Sequence, residues 1–415
     1  MWRTQMPKKY LDVNVYNAAK ERYKLIFKDF EKIYFSFSGG KDSSIMVHLA
    51  LEIAQDLNKL PLTILFVDLE GNYKTTIDHV EEILLKEDVN AYWISLPLNL
   101  RNAVSMYQPQ WVCWDPKEKE NWIRNMPDYD CVISDGDYFD FFEFGMEFED
   151  FVVDFGEWFS DGIKTACCVA IRSDESLNRF RTIANKKKVK YKNKGWTTKV
   201  SEHVYNCYPI YDWRVEDVWT AVAKFNWSYN GVYDLMYKQG RSLHQMRLCQ
   251  PYGDDQRKGL DLFHECEPET WSKVVNRVSG ANMGQIYRDN PLLGNRRPEL
   301  PEGHTWESYV DMLLKSLPRF TAEIYLEHFR TFRDWWEEHG YPIEDWPDKG
   351  PTKLEAKKKI PSWYRLAKCI LKNDLICKSL SFSQTKNQFE DYNKIYQKYK
   401  GNDNRDELTK RKSYE

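Results

Sequence analysis

No part of this chain reaches the roughly 18 consecutive apolar residues needed to cross a bilayer, so a membrane-spanning helix is not expected. The first segment, "MWRTQMPKKYLDVNVYNAAKERYK", lacks the apolar centre of a secretory signal. Cysteine is sparse, nine residues at irregular spacing, which reads as reduced thiols rather than a disulfide framework. A cytoplasmic protein is expected. The charge excess is small, −3 at pH 7, so no overall attraction to nucleic acid or to an acidic membrane follows. Any such binding must come from a local patch. Internal repeats are absent.

What is present is ordinary for a folded soluble protein: 415 residues, 42% hydrophobic and 30% charged. That is long enough for a sizeable core and for more than one domain. Aromatics are plentiful, with 16 Trp, 26 Tyr and 21 Phe, which favours large buried side chains or stacking surfaces. Residues 14–30 show helical amphipathic spacing, "KIYFSF" alternates as a strand does, and 43–57 return to helical spacing. "PLTILFVDLEG" is a continuous apolar run, the signature of a strand buried on both faces. "TTIDHVEEILLKE" and "NAYWISLPL" follow as helix and strand. This alternation predicts a parallel sheet with right-handed crossovers.

Farther on, Glu147 to Phe159 suit a helix with Phe148, Phe151, Val152, Phe155 and Phe159 on one face. They lie in an acidic, aromatic stretch, which reads as a core-packing helix with an acidic outer face or as a cover for a ligand or partner. "KTACCVAI" and "HVYNCYPIYDW" read as strands, and "RVEDVWTAVAKF" as a helix. Residues 185–199, "NKKKVKYKNKGWTTK", form a basic, acid-free stretch expected to be an exposed loop. From about Arg241 the pattern becomes helical, as in "EPETWSKVVNRV" and "TWESYVDMLLKSL". The expected division is an α/β domain over 1–240, a helical domain over 241–400 and a tail over 401–415.

Between the first strand and the second helix stands "SFSGGKDSS" (36–44). Gly39 and Gly40 let backbone amides approach a ligand, and the following helix adds its unpaired N–H groups and dipole. Ser36, Ser38, Ser43 and Ser44 supply hydroxyls and Lys41 a mobile positive charge. Asp42 can cap the helix or help to hold magnesium. The spacing is not that of the Walker loop, which needs four residues between its first glycine and Gly-Lys-Ser/Thr. A capped helix after a Gly-Gly turn is the plainer reading of the same residues.

"SFSGGKDSS" resembles the PP-loop of the ATP pyrophosphatase superfamily, also described as adenine nucleotide alpha hydrolase-like. "FVDLEGNYKTTIDHVEEI", "AIRSDESLNRF" and "YPIYDWRVEDVWTAVAKFNWSYNGVYDLMY" resemble successive segments of phosphoadenosine-phosphosulfate reductase-like proteins. "HQMRLCQPYGDDQRKGLDLFH" and "LSFSQTKNQ" resemble a bacterial subgroup that includes immunoglobulin-binding regulators. The resemblance implies an α/β fold, a parallel twisted sheet with helices on both faces, carrying a C-terminal helical region. It implies ATP or a related adenine nucleotide with Mg2+ as ligands. Residues 36–44 would hold the phosphates, and Asp68, at the end of the second strand, would contact ribose or magnesium or simply end the strand. Arg172 and Arg179 fall on the family's arginine positions and suit bidentate phosphate contact. They share one helical face if the helix begins at Ser173. With Lys41 they would neutralise charge developing on the phosphates during attack at the α-phosphate. A protein partner, ParB-like by resemblance only, is also implied.

The chain departs from the reductases in its cysteines. No Glu-Cys-Gly-Leu-type motif follows Cys266, and Cys369 and Cys377 read as helical core residues. Cys167-Cys168 lacks a companion Cys-x-x-Cys and reads as buried strand, so neither an iron–sulfur cluster nor thiol-driven reduction is expected. His244, Cys249, His264 and Cys266 have zinc-ligand chemistry at a non-standard spacing. A loop with satisfied polar groups accounts for them better. Arg247, Asp254, Asp255, Gln256, Arg257 and Lys258 form a second candidate substrate wall. Lys186 to Lys199, with Tyr191 and Trp196 among the lysines, would suit a nucleic-acid backbone with aromatic stacking, or would be a solvated face. The expected function is ATP-dependent activation of a substrate with release of pyrophosphate. Sulfonucleotide chemistry and a regulatory or defence role with a bound partner are the alternatives.

Overall fold

Seven strands build the main sheet, five of them from the apolar runs read above. In the computed structural model they are β1 Lys32–Ser36, β2 Leu62–Val67, β3 Val89–Ile94, β4 Val132–Ile133, β5 Thr165–Val169, β6 Thr197–Lys199 and β7 Val204–Cys207. The structure describes residues 10–105, 108, 110–185, 188–253, 260–281, 299–338, 342–356, 360–372, 374 and 377–380. The sheet order is β4-β3-β2-β1-β5-β7-β6. Every pairing is parallel except β6 with β7 at the edge. The chain therefore builds outward from β1 through β2 and β3 to β4, then crosses to β5 on the other side of β1. Such a reversal of strand order opens a crevice beyond the carboxyl ends of the two central strands. The residues that leave β1, β2 and β5 at that edge are 37–40, 68 and 170–172.

Helices cover both faces, as alternation along β1 requires. Phe35 packs towards α1 (Val15–Asp29), its ring 6.3 Å from that of Tyr23. Tyr34 points the other way, 5.4 Å from Phe155 of α4 (Phe148–Ser160). Asn14 caps α1 by accepting the Asn17 N–H at 2.8 Å. Phe151 and Phe155 are fully buried, so the acidic stretch packs the core through its aromatic side, as its periodicity predicts. Between α2 (Lys41–Asp56) and β2 the chain turns at residues 57–61, and α3 (Lys74–Leu84) returns it to β3. α5 (Leu177–Ala184), α6 (Val215–Phe225) and α7 (Val232–Lys238) complete this part.

The basic stretch departs from expectation. Thr197–Lys199 is a strand, paired with β7. Tyr191 and Trp196 are buried in the core, Tyr191 with its ring 4.6 Å from Phe30 and 5.4 Å from Tyr205. They close the apolar end of the sheet and so are withdrawn from stacking on bases. Lys188, Lys194 and Lys199 remain exposed, while Lys192 is paired with Asp29 at 2.9 Å. Lys186 and Lys187 lie outside the described residues.

The chain divides into two compact units. One takes residues up to Leu100, Val112–Gln250 and Leu262–Lys273; the other takes Arg101–Trp111, Pro251–Asp261 and the residues from Val274 onward. The second unit is helical, with a core formed by Trp306–Ser316, Arg319–Glu338 and Trp363–Leu371. Trp306, Val310, Leu314, Tyr325, Phe332 and Leu366 meet there. Thr305 and Ser308 cap the first of these helices reciprocally. Cys369 is helical and buried as expected. Cys377 is buried too, but it stands before a short 3-10 turn (Lys378–Leu380) rather than in an α-helix. The expected tail, 401–415, lies outside the described residues. None of the described helices is long and apolar enough to cross a membrane.

Candidate functional site

The loop after β1 is shaped by two glycines with different tasks. Gly39 has φ +69°, and a Cβ there would come within 2.8 Å of Thr76 Cγ2 and 3.1 Å of Val80 Cγ2. Both the left-handed backbone and the close approach to α3 require glycine. Gly40 caps α2 in an extended conformation, and its carbonyl accepts from the Ser44 amide at 2.9 Å and from the hydroxyls of Ser43 at 2.9 Å and Ser44 at 3.0 Å. Ser38 and Ser43 join through their hydroxyls at 3.1 Å. Ser44 turns inward to His79 Nε2 at 2.7 Å, and burial holds His79 below the usual imidazole range. Ser36 ends β1 opposite Leu65 and Val169.

The loop's donors are left open. Among the described residues, the N–H groups of Gly39, Gly40, Asp42 and Ser43 have no acceptor. The start of a helix always carries such orphan donors. The same loop carries the buried cation Lys41 and meets a second, Arg172, through Asp42. Lys41 is 6% exposed and Arg172 3% exposed. Both bind the same carboxylate: Arg172 Nε donates to Asp42 Oδ1 at 2.7 Å, and Lys41 Nζ lies 3.2 Å from Asp42 Oδ2. Arg172 reaches this position from the loop after β5, with Nη1 directed at the Trp213 carbonyl at 3.5 Å. Two cations against one carboxylate leave one positive charge over, beside the helix dipole and the open amides. Such an arrangement is suited to an anion.

Arg179 is placed elsewhere. Ser176 caps α5 by accepting the Arg179 N–H at 3.2 Å, and 173–175 form a turn. The helix therefore begins at Leu177, Arg172 precedes it, and the two arginines do not share a helical face. Arg179 pairs with Glu175 at 3.5 Å with its side chain 46% exposed. Arg247, from the proposed second wall, donates to the Glu175 carbonyl at 2.7 Å. Asp254, Asp255, Gln256, Arg257 and Lys258 lie outside the described residues.

Asp68 stands at the end of β2, fully buried, with both carboxylate oxygens engaged. It accepts from Trp93 Nε1 at 2.9 Å, from the Glu70 amide at 3.1 Å and from Arg124, while Asn72 Nδ2 lies at 3.4 Å. This network ties β2, β3 and the loop carrying Arg124 together. Neither Asp42 nor Asp68 offers a vacant oxygen pair for magnesium in this arrangement. His244, Cys249, His264 and Cys266 are not gathered into a ligand set: among the described residues, no three His, Cys, Asp or Glu side chains are placed to hold a metal ion. His244 is exposed beside Glu216, and burial raises the Cys266 thiol to about 11. Cys167 and Cys168 are buried in β5, and burial pushes Cys167 up to about 12 and holds Cys168 well above the usual thiol range. Thiols held so far from ionisation are poor nucleophiles.

Residues 32–239 match the phosphoadenosine phosphosulfate reductase domain, half of the 415-residue chain. The chain belongs to that family. Residues 240–347 and 341–391 of this reductase-domain protein match a domain of unknown function (DUF3440). The uncharacterized protein YbdN of Escherichia coli (strain K12) is 40% identical over 396 residues, 94% of each chain. Among solved structures, FMN adenylyltransferase from Candida glabrata is similar over 53% of this chain and 58% of that one, at 18% identity and TM-score 0.32. Phosphoadenylyl-sulfate reductase from Candida auris, in its phosphate complex, is similar over 52% and 84%, at 14% identity and TM-score 0.30. The protein thus spans less than two thirds of the first of these structures.

Two residues that hold the loop were not singled out by sequence reasoning. Asn230, fully buried, donates through Nδ2 to the Gly39 carbonyl at 2.9 Å and to Thr76 Oγ1 at 2.8 Å. Its Oδ1 accepts the Val232 amide at 2.9 Å, starting α7. Tyr233, on that helix, accepts the Lys41 amide at 3.0 Å. Both lie within the segment "YNGVYDLMY", where no spacing rule marks them.

Proposed function

We propose that this protein binds ATP or a related adenine nucleotide by its phosphates at residues 36–44 and activates a substrate at the α-phosphate, releasing pyrophosphate. The observation that carries the reading is the surplus of buried positive charge, Lys41 and Arg172 sharing Asp42, beside open loop amides. A phosphate chain supplies the missing negative charge and the missing acceptors together. In the proposed reaction a substrate nucleophile bonds to the α-phosphorus and the bond to the pyrophosphate oxygen breaks. Lys41 and Arg172 offset the charge gathering on the leaving pyrophosphate. Arg179, exposed on α5, would add a contact from the solvent side. Magnesium, with Asp42 and Asp68 already paired, would take its ligands from the nucleotide and water.

The test is incubation of the pure protein with ATP labelled at the α- and γ-positions, with candidate acceptors. Labelled pyrophosphate and an adenylylated product, both lost in Lys41→Ala, are expected. Absence of both with every acceptor, together with an unaltered Lys41→Ala, contradicts the enzyme reading. Family membership favours a second reading, binding of a sulfonucleotide. Competition of phosphoadenosine phosphosulfate against ATP in calorimetry separates the two, since preference for the former supports the second. The buried state of Cys167 and Cys168 weighs against reduction by those thiols.

A further inference from the structure

The hydroxyl of Tyr233 is bonded on one side only. It accepts the Lys41 amide at 3.0 Å, and among the described residues its own proton has no acceptor. The residue is 3% exposed. Its ring is fixed edge-on by Trp219 at 5.6 Å and lies 5.4 Å beneath the Lys41 ammonium. A Cβ placed on Gly40 would be 3.4 Å from the Tyr233 oxygen and 3.4 Å from Ser38 Oγ, which sets the hydroxyl over the glycine turn itself. Burial, and then the charge of Asp42, raises the phenol above its ordinary range, so it stays protonated. A buried donor without an acceptor is costly. The amides of Gly39, Gly40, Asp42 and Ser43, on either side of Lys41 in the chain, likewise have no acceptor among the described residues.

We propose that Tyr233 is a further phosphate-contacting residue of this site, keeping the Lys41 amide and donating its hydroxyl proton to a non-bridging phosphate oxygen. The inference rests on the phosphate-binding reading above. It adds a neutral donor to a set otherwise made of cations and backbone amides. Being neutral, it contributes by geometry rather than by long-range attraction. Its share of the binding is therefore expected to persist at high salt, where the contribution of exposed charges is screened.

Calorimetry on the full chain tests it, with Tyr233→Phe against the parent, using inorganic pyrophosphate, ATP and adenosine as probes. Pyrophosphate and ATP are expected to bind Tyr233→Phe about tenfold more weakly, about 1.4 kcal/mol. Adenosine, which has no phosphate, is expected to bind both proteins alike. Equal pyrophosphate affinity in the two proteins overturns the assignment of Tyr233. So does an equal loss for adenosine, because it marks a general disturbance of the site. If the parent binds neither ATP nor pyrophosphate, the phosphate-binding reading itself fails, and that result is distinct. Should Tyr233→Phe not fold, a structure of the parent with pyrophosphate decides. A Tyr233 oxygen about 2.5–3.0 Å from a phosphate oxygen supports the proposal, and none within about 4 Å overturns it.

Discussion

Replacing Asp42 with Asn separates the two roles of this carboxylate, pairing the buried cations and opposing an anion. Among the described residues, Asp42 is the counter-charge for both Arg172 and Lys41. Breaking a buried ion pair by removing one partner costs about 3–5 kcal/mol, because the remaining charge is stranded. Asn keeps one acceptor oxygen for Arg172, and the Asp42 side chain is 16% exposed, so the low end, about 3 kcal/mol, is expected. For a unit of this size that corresponds to a fall in Tm of about 6–12 °C. The effect on an anion has the opposite sign. Removing one negative charge about 6 Å from a phosphate, at an effective dielectric near 20, is worth about 2–3 kcal/mol. Metal-free pyrophosphate should therefore bind Asp42→Asn at least about tenfold more tightly and raise its Tm more than it raises the parent's. Thermal melting with increasing pyrophosphate reads both effects. An unliganded Asp42→Asn that melts within about 1 °C of the parent refutes the stranded-charge argument, as does a smaller ligand-induced rise.

Gly39→Ala should lower stability by about 2 kcal/mol or more, from the positive φ and the 2.8 Å approach to Thr76, measured as a lower urea midpoint. Asn230→Ala leaves the Gly39 carbonyl, Thr76 and the Val232 amide without their partner, and a loss of about 2–3 kcal/mol with an unchanged m-value is expected. His48, on α2, is held down at about 4 by burial and then by the charge of Lys86. Its folded-state value lies below the unfolded value of 6.5, so the unfolded chain takes up the proton first as pH falls. The stabilisation is complete above pH 6.5 and is lost towards pH 4, about 3 kcal/mol in all. Melting from pH 7 to 4 should fall less steeply for His48→Gln than for the parent, and parallel curves would exclude His48 as the source.

The alternation of strand and helix through β3 was legible because each element's period is local, and the phosphate loop was legible because its composition stands between two such elements. Its partners were not. Arg172 meets Asp42 across 130 residues, a meeting created by β5 entering the sheet beside β1, which no periodicity encodes. The expectation that Arg172 and Arg179 share a helical face failed on one capping residue, Ser176. Tyr191 and Trp196 sit in a lysine-rich run that reads as solvated, yet tertiary packing draws both rings into the core. Asp68 sits at the strand end as expected, and its engagement by Trp93 and Arg124 depends on loops whose course the sequence leaves open. Asn230 and Tyr233 look like ordinary residues around a helix start until the loop is seen against them.

In the proposed function, the open amides and Lys41 after β1, with Arg172 from the loop after β5, hold a nucleotide's phosphates. Calorimetric titration of ATP and of pyrophosphate into the parent and into Lys41→Met tests it most directly. Saturable binding at one site per chain, weakened about tenfold or more in Lys41→Met, is predicted. Absence of binding in the parent, or equal binding in both proteins, would contradict it.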